Sequence, residues 1–200
     1  MSAPTQVWQG FGTGTKKLGM WLFLVSDTLT FATLLMIYTT LRVANPNWPT
    51  PFAFHPAITF STLMTGVLLA SSLTMVYAVD AIKKADRKRC VLWMTATLGG
   101  GIAFIALHLS EWMHLIREEH VTPAANPWGV PLFGAVFFGI TGLHMLHVAC
   151  GVIYLGILSA GVSRGKFSVE DVETGGLYWH FVDLVWMFVF PLVYLMAVKF

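Results

Sequence analysis

Charge is scarce in this chain. Only 11% of its 200 residues are Asp, Glu, Lys or Arg, roughly half the share carried by an ordinary soluble domain. Together with 56% hydrophobic residues and a mean hydropathy of +0.69, that scarcity excludes a soluble fold. A core of this size cannot hide so much apolar surface, whereas a bilayer can. Cysteine is nearly missing. Cys90 sits in a basic stretch, Cys150 sits inside an apolar run, and neither belongs to a CxxC pair, so neither a disulfide framework nor a zinc site is supported. A large basic excess is missing too. Twelve basic and ten acidic residues leave a net charge of +2, too little to attract nucleic acid. Internal repeats and long polar segments are absent, which leaves no room for a second domain.

Long hydrophobic runs are what the chain does have. A spanning helix needs about 20 apolar residues, because the hydrocarbon core is about 30 Å thick and the helix rises about 1.5 Å per residue. Five stretches meet this, at Leu18–Leu41, Ala57–Val79, Val91–Leu115, Pro131–Ala160 and Leu177–Val198. The expectation is an all-α membrane bundle of five transmembrane helices, one transmembrane domain over residues 1–200. The first run is too long for a signal-peptide core and reads as a retained span. Between the runs lie loop-like segments: Asn45 to Pro56 with its prolines, charged Asp80 to Arg89, Arg117 to Pro131, and polar Gly161 to Gly176.

Orientation follows from the basic residues. The N-terminus and the second and fourth connections share one side and hold Lys16, Lys17, Lys83, Lys84, Arg87, Lys88, Arg89, Arg164 and Lys166. The other side holds Arg42, Arg117 and Lys199. Nine against three puts the N-terminus in the cytoplasm and the C-terminus outside. The glycines of the fourth run (Gly134, Gly139, Gly142, Gly151) and Gly99, Gly100 and Gly101 of the third predict close helix packing. Trp8, Trp21, Trp48, Trp93, Trp112, Trp128, Trp179 and Trp186 lie mostly near run ends and read as an interfacial belt.

Ionisable residues inside spans are costly in lipid and face protein, water or headgroups. Asp27 lies about 13 Å into the first run. His108, Glu111 and His114 lie in the third, His144 and His147 in the fourth, and His180 and Asp183 in the fifth. Residues three or four apart share a helix face, so Glu111 pairs with His114, His144 with His147, and His180 with Asp183. Di-iron bundles use two Glu-x-x-His motifs and two further glutamates. This chain has a single such motif within its spans, and Glu111 is the one glutamate in a span. Hydrogen bonds between helices, or headgroup contacts, therefore explain these residues better than a metal. For Asp27 two readings stand side by side: a neutral acid bonded to a neighbouring helix, or a proton-linked or lipid-contacting group.

Four segments carry a resemblance. They are Lys17-Leu-Gly-Met-Trp-Leu-Phe-Leu-Val-Ser-Asp27, Leu109-Ser-Glu-Trp112, Thr141-Gly-Leu-His-Met-Leu-His-Val148, and Tyr178-Trp-His-Phe-Val-Asp-Leu-Val-Trp186 followed by Phe190 and Tyr194. In order and spacing, over nearly the whole chain, the sequence resembles subunit III of haem–copper terminal oxidases, in a five-helix form that lacks the family's first two helices. The resemblance implies an accessory subunit with no catalytic centre or metal of its own. Haem and copper would be carried by partner subunits, and structural phospholipid would be bound. Subunit I and the other oxidase subunits would be its partners, in the bacterial cytoplasmic (inner) membrane. It also implies support of sustained proton uptake by the catalytic subunit.

Asp27 matches the family's carbodiimide-reactive carboxylate, usually Glu, while Met145 stands where the family commonly has Gly. Trp48, Glu111, His144, His147, Trp179, His180 and Asp183 are the candidate lipid or interhelical polar contacts. The lipid expectation places acyl tails in a cleft between the first two helices and the other three. The alternative is a free-standing intramembrane metal-dependent oxidoreductase using the His and Glu residues of the third to fifth helices. A small transporter is disfavoured because internal repeats and broken helices are missing.

Overall fold

The computed structural model describes residues 14–53 and 57–199. Trp8 and Pro56 lie outside the described residues. Five helices carry the structure: α1 Thr15–Ala44, α2 Thr59–Lys83, α3 Arg87–Arg117, α4 Pro131–Ser163 and α5 Val169–Val189. A π-helical turn at Phe190–Tyr194 and a 3-10 turn at Leu195–Ala197 extend α5. All five are long and apolar enough to cross a membrane, as the five runs predict. The one β-pairing among the described residues is a parallel bridge between β1, Phe52–Ala53, and β2, Val198–Lys199. With 33 residues, α4 is about 50 Å long and must tilt or project beyond the hydrocarbon.

Local chemistry explains the helix ends. The segment before the fifth run was expected to be a polar loop up to Gly176, but α5 already begins at Val169. Ser168 and Asp171 form a capping box, which satisfies free N–H groups at the helix start. The Glu170 and Asp171 carboxylates suit the positive end of the helix dipole. The second connection is also shorter than expected, running only from Lys84 to Asp86. Asp86 caps α3 by accepting from the Arg89 N–H at 3.0 Å. The α2 end closes with Asp86 N–H donating to Ala81 C=O (2.9 Å) and Ala85 N–H to Ile82 C=O (3.0 Å), the Schellman pattern. Its left-handed position is filled by Ala85 at φ 60°. The α4 end repeats the pattern with Gly165 at φ 70°.

Burial ranks the helices. On α1 the buried residues are Leu24, Asp27, Phe31 and Tyr38, one narrow stripe at helical spacing. On α5 burial runs nearly all round, from Val172 to Val189. The helix packs against α1, α2 and α4, while α3 lies between α2 and α4. Helix α1 docks on the α4–α5 seam and α2 packs mainly on α3.

Trp179 marks the centre. Its indole is fully buried and lies beside Gly101 of α3 and Gly151 of α4. A Cβ on either glycine would come within 2.5 Å and 3.0 Å of the ring. Its Nε1 donates to Ser71 Oγ of α2 at 3.1 Å, so one side chain joins four helices. Trp48 and Trp186 are buried as well, so these three tryptophans belong to the interior and not to an interfacial belt. Trp21 and Trp128 are exposed, where a belt needs them.

Candidate functional site

Asp27 is buried on α1 and faces α4, where its Oδ1 lies 3.3 Å from His147 Nε2. The imidazole is fixed from the other side. His147 Nδ1 lies 2.8 Å from the Leu143 carbonyl. A carbonyl only accepts, so Nδ1 carries a proton, and in the neutral ring Nε2 is the bare nitrogen. The contact with Asp27 therefore needs one further proton, held either by the carboxyl or by the imidazole. In both placements the pair is neutral overall, which is the condition for a buried acid and base in low dielectric. Tyr178 of α5 donates to the His147 carbonyl at 2.9 Å and steadies this part of α4. A surface groove of about 380 Å³, with Phe23, Leu146, Cys150 and Tyr178 on its walls, has His147 at its floor.

Glu111 is held differently. Ser61 of α2 donates to one of its oxygens at 2.6 Å and Tyr194 to the other at 2.8 Å. His114, its partner in the Glu-x-x-His spacing, is exposed. Both line a pocket of about 310 Å³ whose walls include Phe52 and Phe60. His144 and His147 also part company. His144 is fully buried and stacks on Trp186 at 5.0 Å between ring centres, whereas His147 turns to Asp27. The Ser72 hydroxyl lies between His180 Nδ1, 2.7 Å away, and the Asp183 carboxyl. Among the described residues no group of three or more His, Cys, Asp and Glu is placed to hold a metal ion. Of the donors that the oxidoreductase alternative would use, Glu111, His147 and His180 hydrogen-bond to protein groups, whereas His108 and His144 have no protein partner.

Trp48 makes its polar contact inside the chain, donating to the Tyr38 hydroxyl at 3.4 Å. Tyr38 in turn donates to the Val193 carbonyl at 3.3 Å, and Arg42 donates to the Met196 carbonyl. Pro191 and the π turn interrupt the regular bonding of α5, and these two residues, one turn apart on α1, take up carbonyls there. At the opposite end Lys16 pairs with Asp171 at 2.6 Å, and Glu173 pairs with Lys17 and with Lys83, the latter at 2.8 Å.

Sequence reasoning missed the hydroxyl residues of α2. Ser61 serves Glu111, Thr65 accepts from Trp186 Nε1 at 2.9 Å, and Ser71 and Ser72 serve Trp179 and His180. Ser61, Thr65 and Ser72 recur at intervals of four and seven residues, a usable signal of a polar stripe at helical period within an apolar run.

The family model described as "Cytochrome c oxidase subunit III" matches residues 7–198. This chain belongs to that family. The subunit III match covers both the buried Asp27 and the central tryptophans. Similar proteins include a cytochrome c oxidase subunit 3 of Alkalihalophilus pseudofirmus, 35% identical over 92% of this chain and 87% of the relative. A cytochrome c oxidase subunit 3 of Bacillus subtilis is 34% identical over 91% and 86%. A cytochrome bo(3) ubiquinol oxidase subunit 3 of Pseudomonas aeruginosa is 31% identical over 92% and 86%. Subunit III membership and five apolar helices make this a multi-pass membrane protein.

Proposed function

We propose that this chain is the accessory, non-redox subunit III of a bacterial haem–copper oxidase, packed against the catalytic subunit I. The observation that carries the reading is the family match across residues 7–198 in a bundle of five helices long and apolar enough to cross a membrane. Haem and copper belong to the partner subunits in this reading, and the chain contributes stability and support for proton uptake, with Asp27 as the proton-linked carboxylate. Relatives named as subunits of cytochrome c and ubiquinol oxidases support partnership with other oxidase subunits. The basic-residue count supports an N-terminus in the cytoplasm, a C-terminus outside the cytoplasmic membrane, and one transmembrane domain.

Phospholipid is the proposed small ligand. A groove of about 390 Å³ at the basic end is lined by Lys17, Asp80, Lys83, Glu173 and His180, and its two lysines, which Glu173 shares, are the groups for a headgroup phosphate. A second groove of about 250 Å³ between Phe31, Leu35, Leu184 and Phe188 runs along the α1–α5 seam and suits an acyl chain.

The deciding experiment is purification from native membranes through an affinity tag on this chain. A haem-bearing polypeptide is expected in stoichiometric amount, with phospholipid found by mass spectrometry of the native complex. Recovery of the chain alone, with no haem absorbance, overturns the subunit reading.

A further inference from the structure

His108 of α3 and His144 of α4 are both fully buried, and none of their four ring nitrogens lies within hydrogen-bond distance of a protein group. The Nε1 of Trp112 is in the same condition. Buried polar atoms without partners are rare because each forfeits its hydration for nothing. Five such atoms close together point to a ligand.

The three side chains converge on one region of the bundle. The two imidazoles share both aromatic neighbours. Phe104 lies 5.7 Å from His108 and 5.8 Å from His144, and Trp186 lies 5.5 Å and 5.0 Å from them, between ring centres. Trp112 reaches the same region, 5.5 Å from His108, because Gly142 leaves room for its ring: a Cβ there would sit 3.2 Å from it. The surrounding protein offers no relief. Phe104 is apolar, and the Trp186 N–H is already given to Thr65.

We infer that His108, His144 and Trp112 enclose bound water at the α3–α4–α5 junction. Two neutral imidazoles and one indole present three donors and two acceptors. A hydrogen-bonded cluster on the order of two waters accepts those three bonds and supplies those two, which is the usual role of interior water. A metal is a poorer fit, since two imidazoles without a carboxylate or thiol make no adequate ligand set. The site lies one helical turn from Glu111 on α3 and one turn from His147 on α4, so it hydrates the interior between buried Glu111 and the Asp27–His147 pair. The inference does not depend on the oxidase reading.

The test is synchrotron hydroxyl-radical labelling of the native complex, read residue by residue by mass spectrometry. Radicals formed from bound water modify side chains beside it even when bulk solvent is excluded. Trp179 is the control, because it is fully buried and its N–H is satisfied by Ser71. His108 and His144 are expected to be modified several-fold faster than Trp179. In a variant carrying His108→Phe and His144→Phe, which keeps an aromatic ring at each position and removes four nitrogens, labelling of Trp112 is expected to fall several-fold. Wild-type labelling of both histidines no faster than that of Trp179 overturns the inference, and so does Trp112 labelling that is unchanged in the double variant.

Discussion

One proton serves the contact between Asp27 Oδ1 and His147 Nε2, and that sets what substitution there does. Asn at position 27 can donate its amide to the bare His147 nitrogen, so the contact between α1 and α4 survives while the exchangeable proton is lost. Asp27→Asn is therefore expected to leave assembly and initial oxygen consumption near wild type, and to show faster loss of activity during sustained turnover or altered carbodiimide sensitivity. Oxygen uptake followed from the first turnovers to inactivation measures this. Immediate and complete loss in a normally assembled complex would make Asp27 obligatory for the chemistry. At this scale the sequence was informative about which groups are unusual and poor about their partners. His144 and His147 share a face by spacing, yet one stacks on an indole and the other meets a carboxylate. What separates them is the approach of α1 and α5, a matter of tertiary packing that spacing along α4 does not encode.

Elements were read more surely than their ends. Five apolar runs specify five helices because hydrocarbon leaves a backbone few other ways to bond itself. The start of α5 was missed because Glu170, Asp171 and Glu173 look like loop residues until Lys16, Lys17 and Lys83 are seen beside them. The π turn at Phe190–Tyr194 and the 3-10 turn after it were missed because the groups that bond their carbonyls, Tyr38 and Arg42, lie on α1. Packing between elements gives a matched pair of predictions on neighbouring glycines. Gly99 has open space where a Cβ would go, whereas a Cβ on Gly101 would sit 2.5 Å from Trp179 and 2.7 Å from Val152. Gly101→Ala should cost about 1–3 kcal/mol through overpacking, and Gly99→Ala should be neutral or slightly stabilising through helix propensity. Thermal unfolding of the purified complex distinguishes them, and equal effects at both positions would refute the account of Trp179 as a joint between four helices.

For the whole molecule, the charged ends carry the proposed orientation. Lys88 and Lys166 are exposed at the end where Lys16, Lys17 and Lys83 meet the α5 carboxylates. A membrane-impermeant amine reagent should modify Lys88 and Lys166 in inverted vesicles and not in intact spheroplasts. Labelling in spheroplasts would reverse the orientation. The ion pairs at this end are exposed or half-exposed and each stabilises the fold little. Their collective effect is to bring the ends of α1, α2 and α5 together around the groove assigned to a headgroup.

The docking of α1 has a consequence for how the protein is made. Helix α1 leaves the ribosome before α4, α5 and the turn beyond it, which cover it, while α2 and α3 can pair as a hairpin at once. Until α4 is made Asp27 stands in the membrane without His147, and until the turns beyond α5 are made Tyr38 and Arg42 stand without the carbonyls they later meet. A polar stripe left facing lipid is unfavourable, so the nascent α1 should stay beside the insertion machinery, which can shelter it, until the end of the chain arrives. A photo-crosslinker at Leu24 in stalled chains of increasing length should react with that machinery through the emergence of α2 and α3 and lose the reaction only once α5 has entered. Release at the α2–α3 stage would show that α1 finds an earlier partner, and that the order of assembly is not written into its single buried face.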